Sequence, residues 1–362
     1  MKVGILTFHH TTNYGATLQA YALWSTVKSL GFEAEVIDYR PYRAVYFYLK
    51  ETFPIYFYNK KLLKNRWFIY SLLKAWNMRK FLQEKIKLSS RIFYRKSGLK
   101  FYSETYDLVI CGSDQVWCLD PFIRGFDPSY FLDFVDDKSK KISYAASFGN
   151  TSDLGEHKYS ICNHIAKFDD ISVRDTNSKR LIENECNRSA KIVVDPTFLV
   201  NYDEIIDLPN SSQEDYLLVY IPSGLTKEQY RIINSVAKIR QLIVISVGKY
   251  MPTATKNFID ISPEKWLGYF SQASFVITST YHGSIFSIIY KKPFMVFGKK
   301  AKSNKVADLL SRLELGDIVI SNLNDYELIM QKSLNIDYQL VHENLKPEID
   351  KSKEYLLNVL KS

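Results

Sequence analysis

Short apolar, β-branched runs alternate along most of this chain with longer stretches of helical periodicity, and that alternation restricts it to parallel sheets covered by helices. The runs that read as strands are Lys2 to Thr7, Ala34 to Asp38, Asp107 to Cys111, Ile142 to Ala146, Ile171 to Arg174 and Lys191 to Val194. A second series follows the polar link Leu208-Pro209-Asn210-Ser211-Ser212-Gln213: Tyr216 to Ile221, Leu242 to Val247, Phe275 to Ile277 and Phe294 to Phe297. Helices are expected at about Ala16 to Leu30, stopped by Gly31, and at about Lys227 to Lys238, Pro263 to Gln272 and Ser284 to Tyr290. At 362 residues the chain is long enough for two cores. The expected architecture is α/β, two Rossmann-like domains facing each other across a cleft, with residues 1–208 in the first and 209–345 in the second. A last helix, about Lys346 to Leu360, is expected to pack back on the first domain.

The charge is uneven. The formal net charge is +9, yet Arg40 to Lys100 holds 16 Lys or Arg against Glu51 and Glu84, a local +14 that leaves the rest near −5. Fifteen aromatics are interleaved there, so residues of about 40–100 read as a basic aromatic helical insertion in the first domain. Three readings fit such a mixture: a nucleic-acid surface, an interfacial membrane anchor, or an insertion whose aromatics are core. Aromatic rims and snorkelling lysine stems suit an anionic head-group layer, where each basic residue contributes roughly 1 kcal/mol. No RNP-like aromatic signature, zinc finger or helix-turn-helix accompanies the charge, which argues against nucleic acid. No run reaches the roughly 18 apolar residues of a membrane span, and the N-terminus lacks a signal-peptide pattern. The expectation is a cytoplasmic protein, peripheral on the inner face of the cell membrane through residues 40–100. Cys111, Cys118, Cys162 and Cys186 form no CxxC pair, so buried thiols are expected, with no zinc site and no disulfide framework.

Ligands of doubly wound sheets bind beyond the carboxyl ends of the strands, which singles out four loops. After the first strand, Asn13, Tyr14 and Gly15 precede a helix, where backbone N–H groups hold an anion or a sugar hydroxyl, or simply make a turn and cap. Gly112, Ser113, Asp114 and Gln115 concentrate hydrogen-bonding groups behind the strand Leu108-Val109-Ile110. They suit a polyol, or an ordinary turn with a capping Asp. Arg174 stands at a strand end, either to clamp a carboxylate or phosphate or to pair with Asp175 or another structural acid. The sharpest loop is Ser279-Thr280-Tyr281-His282-Gly283-Ser284, where a strand runs through hydroxyls, an aromatic, a histidine and a glycine into an apolar helix. There His282 sits where anions are attracted and protons exchange near neutral pH. Neither a Walker loop, a GxGxxG fingerprint, a GxSxG elbow nor HExxH occurs, and no metal ligands are indicated.

Taken together, Asn13-Tyr14-Gly15-Ala16, Gly112-Ser113-Asp114-Gln115-Val116-Trp117, Ser172-Val173-Arg174-Asp175, Asp195-Pro196-Thr197-Phe198, and His282-Gly283-Ser284 with Lys292-Pro293 resemble the polysaccharide pyruvyl transferase family in order and spacing. The resemblance implies a glycosyltransferase-B-like fold, with acceptor bound by the first domain and donor by the second. It implies transfer of a pyruvyl group from phosphoenolpyruvate, a co-substrate, to hydroxyls of a sugar in a cell-surface polysaccharide or lipid-linked oligosaccharide. No tightly bound cofactor is implied. Arg174 and His282 are the catalytic candidates, His282 as acid, base or phosphate ligand. Members of the family often carry arginine two residues before the motif histidine, where this chain has Thr280. Lys299 and Lys305, in the cluster Lys299, Lys300, Lys302 and Lys305, are candidates to replace that cation. The alternatives are a glycosyltransferase using a nucleotide-sugar donor and a non-catalytic carbohydrate-binding assembly protein.

Overall fold

The computed structural model describes residues 1–46, 66–120, 125–209, 214–298 and 304–362. The chain divides into two compact units, one of Met1–Phe68, Met78–Val200 and Lys346–Ser362, the other of Ile69–Asn77 and Asn201–Leu345. Part of the basic insertion, residues 69–77, thus groups with the second unit.

The first unit is built from β1 (Lys2–Leu6), α1 (Tyr14–Ser29), β2 (Glu33–Val36), α2 (Arg66–Lys85), α3 (Lys96–Ser103), β3 (Leu108–Cys111), β4 (Lys140–Ala146), α4 (Lys158–Ile165), β5 (Asp170–Val173), α5 (Thr176–Cys186) and β6 (Lys191–Ile192). Its strands lie in the order β2-β1-β3-β4-β5-β6, all parallel. Every residue of β3, Leu-Val-Ile-Cys, is buried, the pattern of a parallel strand covered on both faces. Trp117 packs between Phe131 and Phe148 in the core beside it.

The second unit holds β7 (Tyr216–Tyr220), α6 (Lys227–Arg240), β8 (Ile243–Val247), β9 (Lys256–Phe258), α7 (Pro263–Gln272), β10 (Phe275–Thr278), α8 (Tyr281–Ile289), β11 (Phe294–Phe297), α9 (Asn304–Arg312), β12 (Val319–Ile320), α10 (Tyr326–Leu334) and the start of α11 (Tyr338–Lys361). Its parallel sheet runs β12-β11-β10-β7-β8-β9. From Lys346 onward α11 belongs to the first unit, where Ser352 Oγ accepts the Val194 N–H at 3.0 Å.

Both sheets therefore reverse direction once, between β1 and β3 and between β7 and β10. A crevice opens at such a reversal because consecutive crossovers leave on opposite faces. The loops after β1, β3, β7 and β10 are thereby singled out by topology alone.

Four expectations need correction. Cys162 and Cys186 are not free thiols: packing of α4 against α5 brings their Cα atoms to 4.8 Å in a disulfide. α8 starts at Tyr281 rather than Ser284, which puts His282 inside the first helical turn. The last helix starts at Tyr338 and runs through Pro347. β9 and β12 are additional edge strands of three and two residues, too short for a periodic signal. Among the described residues no helix is long and apolar enough to cross a membrane.

Candidate functional site

At the first sheet's reversal the loops after β1 and β3 are bound together. Thr7 Oγ1 donates to the Ser113 carbonyl at 2.8 Å, and Gln19 Nε2 reaches both Thr7 Oγ1 and the Phe8 carbonyl at 3.0 Å. A Cβ on Gly112 would lie 2.8 Å from Thr7 Cβ, so glycine is required by the neighbouring loop. Asn13 is the N-cap of α1, its side chain accepting the Gly15 N–H at 3.0 Å, while Tyr14 and Gly15 are buried. Capping satisfies one of the orphan donors of the first turn and occupies the Asn13 oxygen.

Arg174 is the centre of a charged cluster. Its side chain is fully buried, with Nη1 3.0 Å from Asp195 Oδ2 and Nη2 3.3 Å from Asp114 Oδ1. Asp195 Oδ2 also accepts from Ser113 Oγ at 3.2 Å, and its Oδ1 accepts from the Thr197 N–H and hydroxyl at 3.1 and 2.7 Å. The partner acids are therefore Asp195 and Asp114, not Asp175, which instead caps α5 and accepts from Ser147 Oγ at 2.6 Å. Two carboxylates on one guanidinium leave the cluster without surplus positive charge, so Arg174 holds the β3 loop in place. Asp114 takes φ 78°, a left-handed conformation costly for a residue with a Cβ, and Arg174 holds it there with its carboxylate 15% exposed. Gln115, next to it, is half-buried and lies against Gly149.

Sequence reasoning missed two contributors to this region. Asp195 stood in a quoted motif but its role as hub depends on a contact with Ser113, 82 positions away. His9 lies buried behind the β1 loop, Nδ1 3.0 Å from the Thr7 carbonyl and Nε2 3.0 Å from Asp38 Oδ1. Asp38 in turn takes Arg40 through both carboxylate oxygens, at 2.6 and 2.7 Å. Burial works to raise the Asp38 pKa, but the hydrogen bonds from His9 and Arg40 outweigh it and pull it down to about 2. The signal available was a histidine three residues past β1 and an acid two residues past the adjacent strand β2.

At the second sheet's reversal the loop from β10 into α8 carries no formal charge. Thr280 is the N-cap, its hydroxyl accepting the Gly283 N–H at 3.0 Å. Thr278 Oγ1 lies 3.0 Å from Thr280 Oγ1 and donates to the Tyr220 carbonyl of β7 at 2.8 Å, tying β10 to the strand across the reversal. A Cβ on Gly283 would lie 2.2 Å from Thr278 Oγ1 and 2.7 Å from Thr280 Oγ1, so the His-Gly pair follows from the hydroxyls beneath it. Ser284 Oγ donates to the Thr280 carbonyl at 3.1 Å. His282 is buried in the first turn with its ring edge-on to Tyr281, centroids 5.4 Å apart, and Ser279 and Thr280 are the half-exposed groups beside it. The first-turn N–H groups lack intrahelical acceptors and make this end attractive to an anion. Lys299, Lys300 and Lys302 lie outside the described residues; Lys305 is half-buried at the start of α9.

Asn13, Tyr14, Gly15, Gly112, Ser113, Asp114, Gln115 and Arg174 thus gather around the reversal of the first sheet, and Ser279 to Ser284 around that of the second. Among the described residues no group of three His, Cys, Asp or Glu side chains is arranged to hold a metal.

A family model described as Polysaccharide pyruvyl transferase matches residues 13–299. No curated protein matches the chain. Solved structures with a similar fold include the S. aureus MnaA-UDP co-structure (TM-score 0.55, 10% identity, 100% of this chain and 96% of that one). They also include UDP-GlcNAc 2-epimerase from Methanocaldococcus jannaschii (0.52, 11%, 100% and 99%) and the spinosyn rhamnosyltransferase SpnG (0.51, 9%, 100% and 100%). At these identities the likeness concerns the fold, two Rossmann-like units of the glycosyltransferase-B-like class.

Proposed function

This chain belongs to the polysaccharide pyruvyl transferase family, and from that premise we propose that it transfers the pyruvyl group of phosphoenolpyruvate to two hydroxyls of one sugar. The product is a cyclic pyruvate ketal on a cell-surface polysaccharide or its lipid-linked precursor. Protonation of the enol methylene carbon generates an oxocarbenium-like centre at the phosphate-bearing carbon. One sugar hydroxyl attacks that carbon and gives up its proton, and phosphate leaves. The second hydroxyl then attacks and loses its proton, so phosphoenolpyruvate and diol become ketal and inorganic phosphate.

The observation that carries this reading is the turn from β10 into α8. A buried histidine in a helix's first turn, at the sheet reversal, sets an imidazole at the positive end of the helix, an end suited to a phosphate or carboxylate. His282 is accordingly the residue assigned to contact the donor. Asp114 and Gln115, hydrogen-bonding groups held at the other reversal, suit sugar hydroxyls. Arg174 is a positioning residue, acting through Asp195 and Asp114.

The test is mass spectrometry of a panel of sugar-lipids and aryl glycosides incubated with protein and phosphoenolpyruvate. A gain of about 70 Da, lost in His282→Ala with the fold intact, is the expected result; general acid–base loss is typically 10²–10⁴-fold. No product on any sugar, with thermal protection by a nucleotide-diphosphate sugar and none by phosphoenolpyruvate, would transfer the assignment to a glycosyltransferase. Acceptor binding without turnover, indifferent to His282→Ala, would make the protein a carbohydrate-binding one.

A further inference from the structure

The loops after β1 and β2 are joined by a chain of charged groups that ends with positive charge left over. His9 Nδ1 lies 3.0 Å from the Thr7 carbonyl, which only accepts, and Nε2 lies 3.0 Å from Asp38 Oδ1, which is ionised. The ring therefore donates from both nitrogens and carries its extra proton. Arg40 gives Nε and Nη2 to the same carboxylate, at 2.6 and 2.7 Å. One acid thus serves two cations, and Arg40 Nη1 is left without a partner among the described residues. His10, next along the β1 loop, is exposed and has no hydrogen-bond partner among the described residues. Its pKa is held down, to about 3, first by loss of water and then by the charges of His9 and Arg40, with Asp38 opposing and Arg79 adding to the fall. An exposed ring crowded in this way lines a recess, and the recess is positive. Arg79 reaches it from α2, where the preceding Met78 Sδ accepts from Thr17 Oγ1 of the first turn of α1 at 3.7 Å. Arg79 is exposed and pairs with no acid among the described residues. His9, His10, Asp38, Arg40 and Arg79 all belong to the first unit.

We propose that His10, Arg40 and Arg79 form an anion site beyond the carboxyl ends of β1 and β2, and that it takes a phosphate or diphosphate group. The charge decides the class: His9, Arg40 and Arg79 stand against Asp38 alone, three cations to one acid. A phosphate monoester carries about −1.5 to −2 at pH 7 with three acceptor oxygens, whereas a carboxylate offers a single charge. Arg40 Nη1, the Arg79 guanidinium and a ring N–H of His10 are donors for three oxygens. The Asp38 carboxylate fixes Arg40 beforehand, so little side-chain freedom is lost on binding. The site uses no residue of the second unit. Two bearers of such a group, a glycosyl diphosphate acceptor and the phosphate released, rest on the proposed reaction; the site itself does not.

The experiment is isothermal titration calorimetry with inorganic diphosphate on the full chain carrying His282→Ala, so that binding at the α8 turn is set aside. Binding is expected, and it should weaken as salt rises. Arg79→Gln and His10→Ala, both at exposed positions, should each weaken it about tenfold with an unchanged melting temperature. A bound anion favours protonated His10, so the pKa of that ring, followed by nitrogen NMR, should rise by about one unit or more. Absence of binding, or binding indifferent to Arg79→Gln and His10→Ala, overturns the proposal, as does acetate binding as tightly as diphosphate. Tighter binding of a short polyprenyl glycosyl diphosphate than of inorganic phosphate, equally sensitive to Arg79→Gln, assigns the site to the acceptor; the reverse order assigns it to the released phosphate. Every arm is read without phosphoenolpyruvate and without turnover. Loss of the pyruvyl-transfer reading would therefore leave these results standing, and loss of the site would leave the mass gain in the sugar panel to be judged on its own.

Discussion

At the reversal of the first sheet, a buried guanidinium, two carboxylates and a serine hydroxyl fasten one loop. At the reversal of the second, three hydroxyls and a glycine do the same work without formal charge. The difference is in what each leaves over. The Arg174 cluster is committed to the strained turn at Asp114, since a buried charge has to find its partners inside the protein. The threonine cap uses only neutral groups, so this turn commits no buried charge. A loop held by charge is costly to alter, whereas a loop held by caps is cheap to alter and can vary with the ligand.

The largest test of that contrast is Asp195→Ala. It deletes the shortest ion pair to Arg174 together with the bonds from Ser113 and Thr197. Breaking a buried pair costs about 3–5 kcal/mol, and the surviving Asp114 contact places the expectation near about 3. Denaturant unfolding measures it, and Arg174→Met in the same background should recover part of the loss by removing the stranded charge. A loss no greater than that caused by removing the Thr280 cap would break the comparison.

The two regions were also unequally legible. The alternation of apolar runs and helical stretches located ten of the twelve strands because buried parallel strands are continuous apolar runs, whatever surrounds them. The hydroxyl loop was legible as one connected turn since its residues are consecutive from Ser279 to Ser284, although Gly283 reads as a turn when it is in fact a helical residue beneath which Thr278 and Thr280 leave no room for a Cβ. Pro347 misleads in the same way, because proline favours a helix's first turn and here lies within one. The charged cluster was half legible: Arg174 and Asp114 stand in noticeable loops, but their meeting at Asp195, and the disulfide joining Cys162 to Cys186, are tertiary contacts that spacing does not encode.

Acid should separate the two regions next. Asp38, behind the β1 loop, has its pKa drawn to about 2 by His9 and Arg40. A carboxylate depressed below its unfolded value stabilises the fold fully above about pH 4, and that stability is lost as pH falls toward 2, on the order of 2 kcal/mol in all. Unfolding midpoints at about pH 5 and about pH 2.5 should therefore fall more for wild type than for Asp38→Asn, which lacks this titration. Residues 275–289 contain no carboxylate, so Thr280 variants should follow the wild-type acid profile. Parallel profiles for wild type and Asp38→Asn would remove the first region's claim to a charge-held structure.

The smallest effect addresses why threonine stands where the family resemblance leads one to expect arginine. Thr280 caps α8 and also closes the hydroxyl pair with Thr278, a function that arginine has no oxygen to perform. Thr280→Ala should cost about 1 kcal/mol, and Thr280→Ser or Thr280→Asn only a few tenths. Thr280→Arg should cost as much as alanine and, if His282 contacts phosphoenolpyruvate, lower the KM for that donor by adding a cation beside it. Melting temperatures rank the four variants by capping, and donor kinetics rank them by charge. Cap strength and donor affinity moving in opposite directions would show that this chain holds its turn by a hydroxyl where a cation would serve the ligand. If Thr280→Arg instead left the KM unchanged, the donor cation would have to be sought elsewhere, and an uncharged cap would be sufficient reason for the threonine.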